Sequence, residues 1–260
     1  MNLNPYLYFD HNATTPVAEE VLQTMLPYFR EQFANAASQT HPMGRRAKDA
    51  VELARTQVAE LLNAETSEIY FTSGATEALN TALKGIFSKY KNKGKHIVSV
   101  ATEHSAVLDT LAFLEKQGAE ITLLSVDYHG LINLQEIENA IRKDTVAVAV
   151  MLANNETGVI QSIQQIAEIV HRKSSIMICD ATQAVGKISV NVQELGIDVL
   201  ALSAHKMYGP KGVGALYLRR KSPRVVLDPL LHGGGHERGV RSGTLNVPGI
   251  VGLGKAAEIA

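Results

Sequence analysis

A lysine among small and polar residues, Ser203-Ala204-His205-Lys206, stands between an apolar run, Asp198–Leu202, and a glycine-rich turn, Met207–Gly212. An amine becomes a nucleophile where partial desolvation favours its neutral form, and an aldehyde is the electrophile that suits it. Residue type does not select Lys206 over other lysines, so its company must. Ser203 and His205 can donate to an anion beside it. Ser73-Gly74-Ala75-Thr76 offers small residues and a hydroxyl where a helix begins, an arrangement that receives a phosphate on backbone N–H groups. Its plainer use is a helix N-cap. Thr102-Glu103-His104-Ser105 presents an imidazole that can stack on a ring and carry a proton, or that merely holds a helix start. Asn154-Asn155-Glu156 sets two amides and an acid after an apolar run, where they need ligand partners or an Asx turn. Asp180 closes the apolar run Ile176–Cys179. A carboxylate at the edge of a core wants a cationic partner, which a pyridinium N–H supplies; the alternative is an N-cap. Gln183, three residues on, reaches the same ligand from a helical turn.

These residues need elements to hold them. Tyr6–Asp10 reads as an extended entry and His11–Pro16 as a loop. Glu19–Phe33 has helical spacing, Asn35–Gly44 is irregular, and Arg45–Leu62 reads as a long helix. Ile69–Thr72 is a short strand leading into a helix to about Tyr90. Strands His96–Ala101, Ile121–Val126 and Val146–Leu152 then alternate with helices Ser105–Lys116, Leu134–Arg142 and Ser162–Lys173. Strands Ile176–Asp180 and Asp198–Leu202 follow, and Gly214–Leu218 pairs as a hairpin with a neighbour. Short apolar strands separated by helices predict an α/β fold, a mostly parallel central sheet with helices on both faces. Ligands of such sheets sit beyond the carboxyl ends of the strands, where every polar stretch above falls.

The bulk numbers fit a globular domain of 260 residues, 45% hydrophobic and 20% charged. A net charge of −1 argues against nucleic acid as the main partner. No apolar run is long enough to cross a bilayer, and the N-terminus has no basic and apolar signal pattern. One cysteine, Cys179, forms no internal disulfide and suggests a reducing compartment, the cytoplasm. Alternation along its strand turns Cys179 away from Asp180, as a packed sulfur. His232 and His236 suit a metal only on a helix, and the glycines between them argue against one. Gly186-Lys187 lacks the earlier glycine of a P-loop. Gly249–Ala260 reads as the opening of an amphipathic helix without a C-cap, so the chain is expected to be cut.

A phosphate cradle, a stacking imidazole, an acid for a ring nitrogen, amides for a ring oxygen and a lysine for an aldehyde together describe a site for pyridoxal 5′-phosphate (PLP). The stretches YFDHNATTP, TSGATEALN, ATEHSAVL, MLANNETG, CDATQAVGK, ALSAHKMYGPKGVG and HGGGHERGVRSGTLNV closely resemble cysteine desulfurases of the NifS/IscS type, within the class V aminotransferase group of PLP fold-type I. They cover nearly the whole chain. The resemblance implies that Lys206 is the Schiff-base lysine, that His104 stacks and helps move protons, that Asp180 holds the pyridine nitrogen and Gln183 the phenolic oxygen. It implies that Asn155 meets cofactor and substrate, and that Ala75 through its backbone, Thr76, Ser203 and His205 bind the phosphate. Thr244 would reach the phosphate of the neighbouring subunit's cofactor, so a homodimer is implied. Asn35, Ala13 and Thr14 would be substrate-side.

The activity implied is conversion of L-cysteine to L-alanine, with sulfur passed as a persulfide to an acceptor protein such as an iron–sulfur scaffold. The implied division is an N-terminal segment (1–15), a PLP-binding large domain (16–248) and the start of a helix (249–260) leading to a C-terminal small domain. The family's acceptor-cysteine loop and an arginine for the substrate carboxylate lie in that small domain and not within these residues. Asn35-Ala36-Ala37-Ser38-Gln39-Thr40-His41 also departs from the family's Asn-Pro-Ser-Ser-x-His, losing a proline that fixes φ. The rival readings are a selenocysteine lyase or another class V enzyme, and a catalytically incomplete PLP-binding or dimerisation module.

Overall fold

The computed structural model describes residues 7–260, so Tyr6 of the expected entry strand lies outside the described residues. Residues 7–10 form no strand. The strands are β1 (Ile69–Thr72), β2 (His96–Val100), β3 (Glu120–Leu124), β4 (Thr145–Met151), β5 (Ile176–Asp180), β6 (Val199–Ser203) and β7 (Gly214–Leu218). They make one seven-stranded sheet in the order β1-β7-β6-β5-β4-β2-β3. Strand β7 runs antiparallel to both its neighbours, β1 and β6, and every other pairing is parallel. The expected hairpin is therefore the insertion of β7 between β6 and β1.

Apart from the edge strand β3, which is partly exposed, the sheet is buried on both faces because its residues alternate between two cores. Phe71, Val98, Val148, Cys179, Leu200 and Tyr217 face one side. Tyr70, Ile97, Ala149, Ile178, Ala201 and Leu216 face the other. Helices α4 (Ala75–Tyr90) and α5 (Ser105–Lys116) cover the second face. The first is covered by α1 (Glu19–Met25), α3 (Pro42–Leu62), α6 (Leu134–Ala140), α7 (Ile163–Arg172) and α8 (Val247–Ile259), after a short α2 (Pro27–Arg30).

Some boundaries differ from the sequence expectation. The helix expected over Glu19–Phe33 is broken at Leu26-Pro27, because Pro27 has no N–H to continue the ladder and restarts the helix at its first position. Helix α3 begins at Pro42 instead of Arg45. His41 caps it, its Nδ1 accepting from Gly44 N at 3.1 Å. Strand β3 ends at Leu124 and α6 at Ala140, each short of the expected bounds.

The amphipathic opening expected for 249–260 is instead a helix, beginning at Val247, that is buried on most sides. It lies close against α3: a Cβ at Gly254 would come within 2.5 Å of Ala54 Cα, so only glycine permits the approach.

Candidate functional site

The carboxyl ends of β1, β2, β4, β5 and β6 open on one cavity of about 760 Å³. Ala13, Thr14, Ala75, Thr76, His104, Asn155, Asp180, Gln183, Ser203, His205 and Lys206 all line it. Asn35 and Thr244 do not. Asn35 is exposed, with its Oδ1 spent on a turn by accepting from Ala37 N at 2.9 Å. Thr244 lies exposed on the loop 232–246.

Strand β6 ends at Ser203, and one turn of 3₁₀ helix, Ala204–Lys206, turns the lysine into the cavity. Lys206 Nζ donates to the carbonyl oxygens of Asn12 and Ala13, the latter at 2.9 Å. Burial, and then the charge of Lys187, hold its pKa below the ordinary lysine value against the opposing pull of Asp10 and Asp180. The amine is therefore more readily neutral than a surface lysine. The Asn12–Thr15 strap stays in place through Thr15, whose N and Oγ1 both donate to His205 O, at 2.9 and 3.1 Å. His205 Nδ1 lies 3.1 Å from Thr14 Oγ1, and burial with Lys206 and Lys211 nearby lowers its pKa.

Asp180 ends β5 at 4% exposure. Thr182 donates to its Oδ1 twice, from N at 3.0 Å and from Oγ1 at 2.5 Å. One Asp180 oxygen thus holds the following turn, and the residue also lines the cavity. Burial pushes its pKa up, while Thr182, His104 and Lys206 pull down. Gln183 donates from Nε2 to Asn12 O at 2.8 Å and accepts from Lys187 Nζ at 2.5 Å.

His104 lines the cavity at the start of α5. Its Nδ1 accepts from Ala106 N at 3.0 Å and so caps α5, which leaves the proton on Nε2 in the neutral ring. In the Asn154-Asn155 pair the roles divide. Asn154 makes the Asx turn, accepting from Glu156 N and Thr157 N at 2.9 Å, while Asn155 lines the cavity.

Sequence reasoning missed the strap carbonyls of Asn12 and Ala13 as acceptors, because a backbone oxygen carries no residue signature. It also passed over Thr182, the Glu77–Arg241 pair and Glu103. Strand β2 stops at Val100 while β4 runs on to Met151, so Met151 N has no strand neighbour there. Glu103 Oε1 accepts from it at 2.6 Å. Its other oxygen is buried and has no hydrogen-bond partner among the described residues. Burial raises the Glu103 pKa to about 8, with Asp180 adding to the shift.

Cys179 is the chain's one cysteine, and it is fully buried in the core. Burial pushes its thiol pKa well up, so it is no nucleophile for this cavity.

The architecture is the large domain of PLP fold-type I, a mostly parallel sheet with the cavity at its carboxyl edge. The chain belongs to the aminotransferase class-V family, whose profile matches residues 7–260, and that family implies PLP as its cofactor in general. It is 55% identical to a cysteine desulfurase IscS of Anaeromyxobacter sp. (strain Fw109-5), over 98% of this chain and 63% of that protein. It is 54% identical to the IscS of Neisseria meningitidis serogroup C / serotype 2a, over 100% of this chain and 64% of that protein. The chain thus spans less than two thirds of the length of these curated relatives. Among solved structures, a NifS-like protein superposes with a TM-score of 0.93 at 43% identity, over 97% of this chain and 69% of that one. SspA in complex with cysteine superposes with a TM-score of 0.92 at 43% identity, over 97% and 72%.

Proposed function

We propose that this chain is the cofactor-bearing part of a cysteine desulfurase, which takes sulfur from L-cysteine as a persulfide and leaves L-alanine. One observation carries the reading: a lysine with depressed pKa and a buried carboxylate with a spare oxygen face one cavity from the ends of adjacent strands. The donor set fits PLP. Lys206 is an amine for its aldehyde, Asp180 an acceptor for its ring N–H, and Ser203, Thr76, His205 and the Ala75 backbone are donors for its phosphate. Bound PLP supplies an electron sink for the carbon that carries the substrate amine.

The chain's own residues do the rest. Asp180 holds the ring proton. His104 presents Nε2–H, and Lys206 presents an amine that holds or moves a proton at the substrate Cα. Asn155, Ala13 and Thr14 stand on the substrate side; cysteine is the ligand that SspA is described with. Cys179 is too deeply buried to accept the sulfur, so the accepting thiol comes from outside these residues.

We further infer a homodimer, with Thr244 and its exposed loop turned to the neighbouring subunit. The final acceptor is a protein such as an iron–sulfur scaffold, met in the cytoplasm. No helix among the described residues is long and apolar enough to cross a membrane.

The chain incubated with PLP should acquire the visible absorption of lysine-bound cofactor, and Lys206→Ala should abolish it. An undiminished band in that variant would refute the assignment. The chain alone should release little alanine from cysteine, and full turnover would remove the need for an outside thiol.

A further inference from the structure

Glu77 is out of place in an anion cradle. It lies in the first turn of α4 and lines the same cavity as Ser73, Gly74, Ala75 and Thr76. The helix N-terminus attracts a phosphate, and so does Ser203, which is 5% exposed and faces the cavity. A carboxylate at that spot repels one unless its charge is cancelled. It is also needed there, because Glu77 Oε2 accepts from Ser73 N at 2.8 Å and so holds the bend from β1 into α4.

The cancelling group comes from 164 residues away. Arg241 Nε donates to Glu77 Oε1 at 2.7 Å, and its Nη2 lies 3.3 Å from Oε2. The side chains are 19% and 11% exposed, so solvent screens the pair only in part. Burial alone would raise the Glu77 pKa, but Arg241 and Ser73 bring it below the ordinary value, so Glu77 is charged and matched.

Arg241 is itself held firmly. Its loop is pinned to β1 by Glu237, whose carboxylate takes both Nη atoms of Arg55 at 2.8 Å and Phe71 N at 2.7 Å. The loop 232–246 therefore reaches two backbone N–H groups of the cradle's approach, Phe71 directly and Ser73 through Glu77.

We propose that Arg241 and Glu77 are positioning residues for the phosphate end of the cofactor: Glu77 sets the Ser73 bend, and Arg241 cancels the Glu77 charge so that the cradle admits a dianion. This rests on the PLP reading of the site. A purely structural ion pair would support the fold without regard to the ligand's charge. The proposed role makes two predictions that a structural role does not, namely dependence on the phosphate and rescue by removing the second charge.

The experiment is equilibrium titration of the cofactor-free chain with PLP and with pyridoxal, which lacks the phosphate. The proteins are wild type, Arg241→Met, Glu77→Gln and the double variant. Arg241→Met should weaken PLP by roughly tenfold to a hundredfold, the scale of one lost charge-assisted hydrogen bond. Pyridoxal should change by no more than about twofold on the same scale. The double variant should regain most of the lost PLP affinity, because glutamine still offers an oxygen to Ser73 N without a charge. Equal losses on both ligands, or a double variant no better than Arg241→Met, would overturn the proposal. If Arg241→Met does not fold, Arg241→Lys replaces it. A smaller loss confined to PLP then supports the role, and an equal loss on both ligands refutes it. Wild-type chain that binds no PLP would instead overturn the cofactor reading itself, and this inference with it. Normal wild-type binding with an unchanged Arg241→Met overturns only the role of Arg241.

Discussion

The two edges of the sheet bury polar groups to a similar depth and treat them in opposite ways. At the edge away from the cavity, His96 is fully buried at the start of β2, with its ring nitrogens 2.7 Å from Thr145 Oγ1 and 2.8 Å from Thr122 Oγ1. Asp198 is 1% exposed just before β6. Its Oδ2 receives Met177 N at 2.8 Å and lies 2.9 Å from His171 Nε2, while Arg219 Nη1 stands 3.1 Å from Oδ1. At the cavity edge, Asp180 and Glu103 are nearly as deep, yet among the described residues neither forms an ion pair. Both raise their pKa instead. A buried charge without a partner costs stability, and proteins keep such groups where a ligand or a reaction needs them. On the proposed reading, one edge serves the fold and the other receives the cofactor.

The strongest test of that contrast is Asp198→Ala. It leaves Arg219, with an 11% exposed side chain, facing no carboxylate. The expected loss is about 3–5 kcal/mol in the urea unfolding free energy of the cofactor-free chain, as for other buried pairs deprived of one partner. PLP affinity of the folded fraction should barely move. A variant that unfolds like wild type would show that the far edge is not the structural one.

Glu103→Gln comes next in size. The folded chain holds the Glu103 proton up to about pH 8, whereas the ordinary value is 4.5. The unfolded chain releases that proton as pH rises through the lower value, so wild-type stability is fully present below it. It falls through the window between the two values and levels off above pH 8. The slope contributed by one proton is at most about 1.4 kcal/mol per pH unit, and the cumulative effect is on the order of a few kcal/mol. Glutamine keeps an oxygen for Met151 N and cannot titrate. Stability of the variant measured from pH 5 to 9 should therefore lack this component. Identical pH profiles for the two proteins would mean that Glu103 is ionised in the folded state.

How much of this was legible in the sequence follows from range and from backbone. The strands announced themselves as apolar runs, and the polar stretches after them fell together because parallel strands share an edge. Lys206, Asp180 and His104 were singled out by their joint placement after successive apolar runs, since each taken alone also fits a plainer local use. Arg241 could not be matched to Glu77, since no local spacing joins residues that far apart. Glu103 stood in plain view beside His104. Its importance comes from β2 ending before β4, a relation between two strands. The break at Leu26-Pro27 was readable from the proline alone, and periodicity through Met25, Leu26 and Phe29 masked it. The insertion of β7 between β6 and β1 depends on which edge is free, and no single strand's residues record that.

Asp180→Asn is the smallest change and the most pointed. Asparagine keeps an Oδ1 for Thr182 N and Thr182 Oγ1, the two donors that hold the residue. It removes a charge that burial disfavours. The cofactor-free chain should therefore be stabilised by about 1 kcal/mol, or unchanged, the common result when a functional polar group is exchanged for a neutral one. At the far edge the corresponding loss of a carboxylate is destabilising, so the sign of the effect separates the two edges. With PLP added the order should reverse. Wild type should gain more in melting temperature than the variant, because only the carboxylate accepts a ring N–H without leaving an N–H of its own facing it. The measurement is the melting temperature of both proteins with and without PLP. If Asp180→Asn destabilises the cofactor-free chain as Asp198→Ala does, Asp180 belongs to the scaffold, and the cavity edge holds no spare carboxylate for a ligand.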